Sequence, residues 1–229
     1  MIRFDPELTE IVFFDLEFYV PKADRDKPGV SLLANPYKKD HFLLGGVFCK
    51  IFPLQKSSEN PKFEHYWTWE MKDSEKAVLT RIYDFFQEAW KRLSNKDPWQ
   101  ADLIAVGLGI SKFDIPVLFT RSLILGVARP EELFECYFKL KQVDLNVVGI
   151  GFSSQKTQNE VLYPKITNEL LDRFGISKVK TSGMLVWDMY DAGDRQGIRA
   201  RTENEVRDAV QIYWKMQKKL LSNHPQSAL

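Results

Sequence analysis

The run Ile11-Val12-Phe13-Phe14, followed at once by Asp15-Leu16-Glu17, restricts this chain more than any other segment. A solidly apolar stretch of this length reads as a strand buried on both faces. Asp15 and Glu17 lie two positions apart on it, so their side chains point to the same side. Two carboxylates set together at the end of a buried strand repel one another unless a cation or a hydrogen-bond donor answers them. Two readings stand side by side: the strand ends at Asp15 and both acids face solvent, or the pair holds a divalent metal.

The rest of the chain supplies a sheet and its covering helices. Strand patterns fall at 42–52, with Gly45-Gly46 marking a bulge or a close backbone approach, and at 63–70, 103–108 and 142–145. Apolar residues recur at helical spacing over 74–93, 113–125 (with Pro116 in the first turn), 131–138, 164–174 and 202–221. Segment 21–41, rich in Pro, Gly, Lys and Asp, reads as a long connecting loop or flap, and 222–229 as a frayed tail. Strands first, then a long helix, a strand and further helices specify an α/β fold: one domain over 1–221 with a mixed central sheet flanked by helices.

Composition narrows the function classes. With 44% hydrophobic and 13% aromatic residues the chain of 229 can build a substantial core and is not a disordered one. Thirty-two basic against 31 acidic residues leave a net charge of +1, which argues against a phosphate-coating protein but allows a local basic channel around an acidic centre. The N-terminus lacks the pattern of a secretory leader and no apolar run approaches a membrane span, so a cytoplasmic protein is expected. Cys49 and Cys136 are most economically two buried free thiols, although two cysteines can in principle pair. The three histidines form no zinc pattern with them.

Two further acids sit at telling places. Asp114 follows a strand and opens a helix, where exposed amides favour a carboxylate as a helix cap or as part of a site. Asp208 lies between Val206 and Val210 in the apolar stripe of the last helix, and is either a solvated helix acid or one aimed along the sheet edge toward Asp15.

Taken as an ordered set, these segments resemble the DEDD exonuclease superfamily, whose members have a ribonuclease H-like fold. Phe13-Phe14-Asp15-Leu16-Glu17 is similar to its first motif. Gly109-Ile110-Ser111-Lys112-Phe113-Asp114-Ile115-Pro116-Val117-Leu118, with Arg121 after it, is similar to the second as found in proofreading domains of family B DNA polymerases and their small relatives. Glu205-Val206-Arg207-Asp208-Ala209-Val210-Gln211-Ile212-Tyr213 resembles the third, and Val143-Asp144-Leu145 the strand between second and third. The likeness implies Asp15, Glu17, Asp114 and Asp208 as catalytic ligands of two divalent cations, Mg or Mn. Asp15 would bridge the ions, Glu17 and Asp208 would complete the first site, and Asp114 would support the second. Two such ions, roughly 3.5–4 Å apart, activate water and stabilise the leaving oxygen of a phosphodiester. The implied activity is removal of nucleoside 5'-monophosphates from single-stranded or frayed DNA 3' ends, with RNA admitted as a second polymer.

The set also departs from the pattern. The family places a Tyr four residues, or a His five residues, before its last Asp, and here those positions hold Asn204 and Glu203. Asn204 can orient a water but cannot take a proton near neutrality. Glu203 is a base only if its pKa is raised, and is otherwise an ordinary acid of the helix start. Ser111 stands where many polymerase-like members carry Asn, which bears on how a 3' nucleotide approaches. Leu16 and Phe113 flank the acids and would wedge or stack at the terminal base. Arg199 and Arg201, read as a loop before the last helix, and Lys178 and Lys180 are the candidate phosphate contacts. The alternative to an active nuclease is a catalytically weak or inactive module of the same fold that binds nucleic acid or protein.

Overall fold

In a computed structural model, residues 5–26, 34–53, 61–152, 167–176 and 182–223 are described. The sheet is built around β1 (Thr9–Tyr19), with β2 (Phe42–Ile51), β3 (Phe63–Trp67), β4 (Asp102–Gly107) and β5 (Lys141–Asp144) in the spatial order β3-β2-β1-β4-β5. β1, β4 and β5 run parallel, while β2 is antiparallel to both β1 and β3. The helices are α1 (Glu75–Ser94), α2 (Asp114–Ile124), α3 (Pro130–Phe138), α4 (Leu145–Val148), α5 (Thr167–Arg173), α6 (Met184–Asp191) and α7 (Arg195–Asn223). A mixed five-stranded sheet flanked by helices in this order is a ribonuclease H-like α/β arrangement.

Alternation along β1 divides the interior in two. Val12, Phe14, Leu16 and Phe18 point into a core closed by α1, α2 and α3, where Phe14, Phe48, Phe85 and Phe86 pack ring against ring. Ile11 and Phe13 point the other way, into a core closed chiefly by Val206, Ala209, Val210 and Ile212 of α7. Each fully buried Phe removes enough apolar surface to favour folding by about 1.5–3 kcal/mol. Cys49 belongs to the α7 side and Cys136 to the α1 side. Both are free and buried, and burial pushes each thiol up to about 12.

β1 does not end at Asp15. It runs on to Tyr19, whereas its ladder with β4 stops at Phe13 opposite Val106. The second half of β1 is therefore paired on the β2 side only, and a notch opens where β4 leaves the sheet. Across from Glu17 the register with β2 slips, leaving Leu44 as an extra residue. Gly45 there adopts φ 142°, and a Cβ on it would collide with the Tyr66 carbonyl. The Gly45-Gly46 pair is thus both a bulge and a close approach.

Segment 21–41 is anchored where it is described. Arg121 of α2, only 4% exposed, forms two bonds to Glu75 (2.8 and 2.5 Å) and donates to the carbonyls of Pro36 and Lys38 (2.7 and 3.2 Å). Glu75 in turn accepts the Leu43 N–H at 2.8 Å. Within the segment, Asp24 binds Lys38 Nζ at 2.6 Å and His41 Nε2 at 2.8 Å.

The last helix begins seven residues earlier than its apolar stripe indicates, at Arg195 rather than 202. Asp194 accepts the Gly197 N–H at 2.8 Å, answering one of the amide donors of the first turn. A Cβ on Gly197 would strike Asp194 and Met189, so glycine there permits the tight start. Arg199 and Arg201 consequently stand on α7 itself and not on a loop before it. α6 carries no caps or periodicity strong enough to have been read from sequence. Among the described residues no helix is long and apolar enough to cross a membrane.

Candidate metal centre

The notch beside β1 gathers the acids. Asp15 and Glu17 project from the α7 side of the strand, and Glu205 comes to meet them from α7. One carboxylate oxygen of each lies within 4.8 Å of those of the other two. Glu17 is 6% exposed, a degree of burial that excludes the reading of two freely solvated strand-end acids.

Asp114 enters from the opposite side of the notch. At the first position of α2, 4% exposed, it accepts the Leu16 N–H at 3.0 Å. β1 has outrun β4 there, so a side chain takes the place of a ladder partner. Asp114 is thereby fixed one residue from both Asp15 and Glu17. The loop that delivers it is held by Asp144 at the end of β5, which accepts the Gly109 N–H (3.0 Å), the Ser111 N–H (3.2 Å), the Ser111 hydroxyl (2.6 Å) and the Asn146 N–H (3.0 Å). The Ser111 hydroxyl thus serves the loop's own geometry. Leu16 is buried in the α1-side core, and Phe113 packs edge-on against Phe18 with centroids 6.1 Å apart.

Asp208 is 7% exposed, three positions beyond Glu205 on α7. Residues 201, 205 and 208 share one helix face. That spacing was the available signal for Glu205, which a search for four acids in family order passes over.

A cation already stands among the carboxylates. Arg201 reaches Glu17 Oε1 with Nη1 at 2.5 Å and Glu205 Oε1 with Nη2 at 2.7 Å. The Thr202 hydroxyl adds a third donor, to Glu17 Oε1 at 2.9 Å, while also lying 2.9 Å from the Ile198 carbonyl. Burial lowers the Arg201 pKa, but the charges of Glu17, Glu205 and Asp15 outweigh it and the net shift is upward.

The ion-pair partners of Glu203 and Arg199 lie outside this acid cluster. Glu203 faces away from it, paired with Arg207 at 2.5 Å and with His65 at 3.1 Å. Burial, followed by the Arg199 charge, holds the His65 imidazole below its usual range against the opposing pull of Glu203 and Glu70. Asn204 is exposed. Arg199 is ion-paired with Glu70. Lys178 and Lys180 lie outside the described residues. Glu203→Gln is expected to leave any turnover within about twofold of wild type, since the carboxylate is engaged by the Arg207 guanidinium and the His65 imidazole and not by a proton acceptor's task. A large fall in kcat would restore Glu203 as the base.

Asp24, Asp40 and His41 form a second group of possible ligands. Its imidazole is committed: Nδ1 accepts the Asn35 N–H at 3.1 Å, which leaves Nε2 as the donor to Asp24. Only the first group presents carboxylate oxygens alone, the hard donor set that suits Mg or Mn.

No protein-family model matches the chain, and no curated protein does. Among solved structures it is similar to the family B DNA polymerase from the hyperthermophilic archaeon Pyrobaculum calidifontis, with a TM-score of 0.55 and 18% identity. The match covers 91% of this chain and 24% of the polymerase chain, so this chain spans about a quarter of that protein's length. At this identity the likeness establishes the fold alone.

Proposed function

We propose that this chain is a divalent-metal-dependent 3'-5' exonuclease of the DEDD type, releasing nucleoside 5'-monophosphates from single-stranded or frayed DNA ends, with RNA as the alternative polymer. The observation that carries the reading is the meeting of Asp15 and Glu17 with Glu205 in an all-oxygen cluster where the central strand runs past its ladder with β4, with Asp114 bonded to the backbone between the first two. When bound, two Mg or Mn ions supply Lewis acidity to an attacking water and a leaving oxygen. Asp15, Glu17 and an acid of α7 would hold them, with Asp114 contributing from α2. Asp144 and Ser111 keep the α2 loop in place. Leu16 and Phe113 form the apolar wall nearest the terminal base, and Lys178, Lys180 and Arg199 are the phosphate contacts. Asn204 orients water rather than accepting a proton.

Glu205 and Asp208 are the two candidates for the α7 ligand, and substitution separates them. Removing the acid that is the ligand weakens Mn binding roughly tenfold or more, while the other change is nearly silent. The carry-over of the family pattern expects Asp208→Asn to be the damaging change; the carboxylate geometry expects Glu205→Gln. If neither variant altered metal binding, α7 would have no place in the site.

The pairing of Arg201 with Glu17 and Glu205 favours a second reading, in which the guanidinium permanently replaces metal and the fold serves as a binding module. Digestion of 5'-labelled single-stranded DNA and RNA with Mn or Mg decides between them. A ladder of shortened products supports the nuclease. Intact polymer at high protein concentration, with either metal, leaves the module.

A further inference from the structure

We propose that Arg201 is an exchangeable resident cation: it holds Glu17 and Glu205 together in the metal-free protein and is displaced when a divalent ion binds, so that metal entry and Arg201 departure are one exchange. The inference rests on the reading of this cluster as a metal site.

Its first support is that the guanidinium and a metal would compete for the same atoms. Arg201 lies on Glu17 Oε1 and Glu205 Oε1, and each is among the few carboxylate oxygens with which a Mg-sized ion would make bonds of about 2.0–2.1 Å. Two cations cannot share those oxygens at that range without strong mutual repulsion.

The second support is charge. Asp15, Glu17 and Glu205 bring three negative charges to Arg201's one, so the paired cluster remains an anionic centre that attracts a divalent ion. A guanidinium does not lose its proton in any accessible pH range, so it can leave the carboxylates only by moving.

The third support is mechanical. Nη1 bonds an acid of β1 and Nη2 an acid one turn along α7, so the planar fork ties the helix to the strand. A four-atom side-chain stem lets the fork swing away while α7 stays packed through Val206, Ala209 and Ile212. Thr202 remains on Glu17 and keeps that carboxylate oriented during the exchange. An arginine that merely braced the fold would not need to sit on the ligand oxygens.

The experiment is calorimetric titration of the whole protein with MnCl2, comparing wild type with Arg201→Gln, together with thermal melting of both proteins with and without Mn. The variant is expected to bind Mn roughly tenfold or more tightly than wild type, because the competing charge is gone. Its metal-free form is expected to melt lower than wild type, and saturating Mn to raise its melting temperature by more. Equal or weaker Mn affinity in the variant overturns the exchange while leaving the metal reading standing. Absence of Mn binding by both proteins removes the metal reading as well. If Arg201→Gln does not fold, the wild type still decides: the Arg201 Nε–Hε NMR signal is expected to shift in step with Mg binding, and a signal that stays put while Mg binds overturns the proposal.

Discussion

The Asp15→Ala protein is expected to leave 5'-labelled single-stranded DNA intact under Mn and Mg conditions in which wild type produces a ladder. Asp15 shares with Glu17 and Glu205 a cluster in which one carboxylate oxygen of each lies within 4.8 Å of the others, so metal held there is expected to draw on it. Loss of correctly held metal removes several kcal/mol of transition-state stabilisation, and about 4 kcal/mol corresponds to a fall on the order of a thousandfold. The stability of the variant separates a missing ligand from a damaged fold. Removing one carboxylate relieves its repulsion with Glu17 and Glu205 but forfeits its attraction for Arg201, so the variant should melt within a few degrees of the wild-type temperature. An unchanged ladder from Asp15→Ala would end the case for this cluster as the active centre.

The largest stability effect is expected away from the acids, at Arg121→Met. Arg121 and Glu75 form a nearly dry pair. Removing one member strands the other charge in the interior at a cost of about 3–5 kcal/mol. The carbonyls of Pro36 and Lys38 lose their donor at the same time. For a chain of this size the melting temperature should drop by roughly 10 °C. The double variant Arg121→Met/Glu75→Gln should recover part of the loss, because no unpaired charge is then buried. A single-variant melt within a degree or two of wild type would mean that the pair contributes little and that segment 21–41 is held by other contacts.

The pieces that sequence revealed are those in which a strong local pattern and the tertiary structure agree. β1 was readable because its apolar run needs burial on both faces. α1 was readable from Val78, Ile82, Phe85, Phe86 and Ala89, and its start from Ser74, whose hydroxyl accepts the Ala77 N–H. The place of Asp114 followed from the strand-to-helix turn. Other features were illegible because their cause lies across the fold. The extension of β1 past Asp15 depends on β2 pairing, which a chain read by itself does not display. The start of α7 was hidden by Gly197 and a run of arginines, which resemble a basic loop until Asp194 is seen capping them. Glu205 looks like any solvent-facing helix acid, and Arg201 like a phosphate ligand, until the strand acids are placed beside them. Asp144 reads in sequence only as part of a strand, yet four donors converge on it.

The acid cluster also bears on the order in which the molecule assembles. Its members come from near the two ends of the described chain, from β1 and from α7, so their meeting carries one of the largest loop-closure costs in the fold. Like charges on the two elements oppose that encounter, and the Arg201–Glu17 pair and the apolar stripe of α7 must outweigh them. The β1–β2 hairpin and its packing with α1 have no such penalty and involve nearer neighbours in sequence. Docking of α7 is therefore expected after the folding barrier, so that substitutions on its buried stripe should alter the rate of unfolding more than that of folding. A ligand that bridges β1 and α7 acts as a latch on the finished molecule, lengthening its lifetime without hastening its formation.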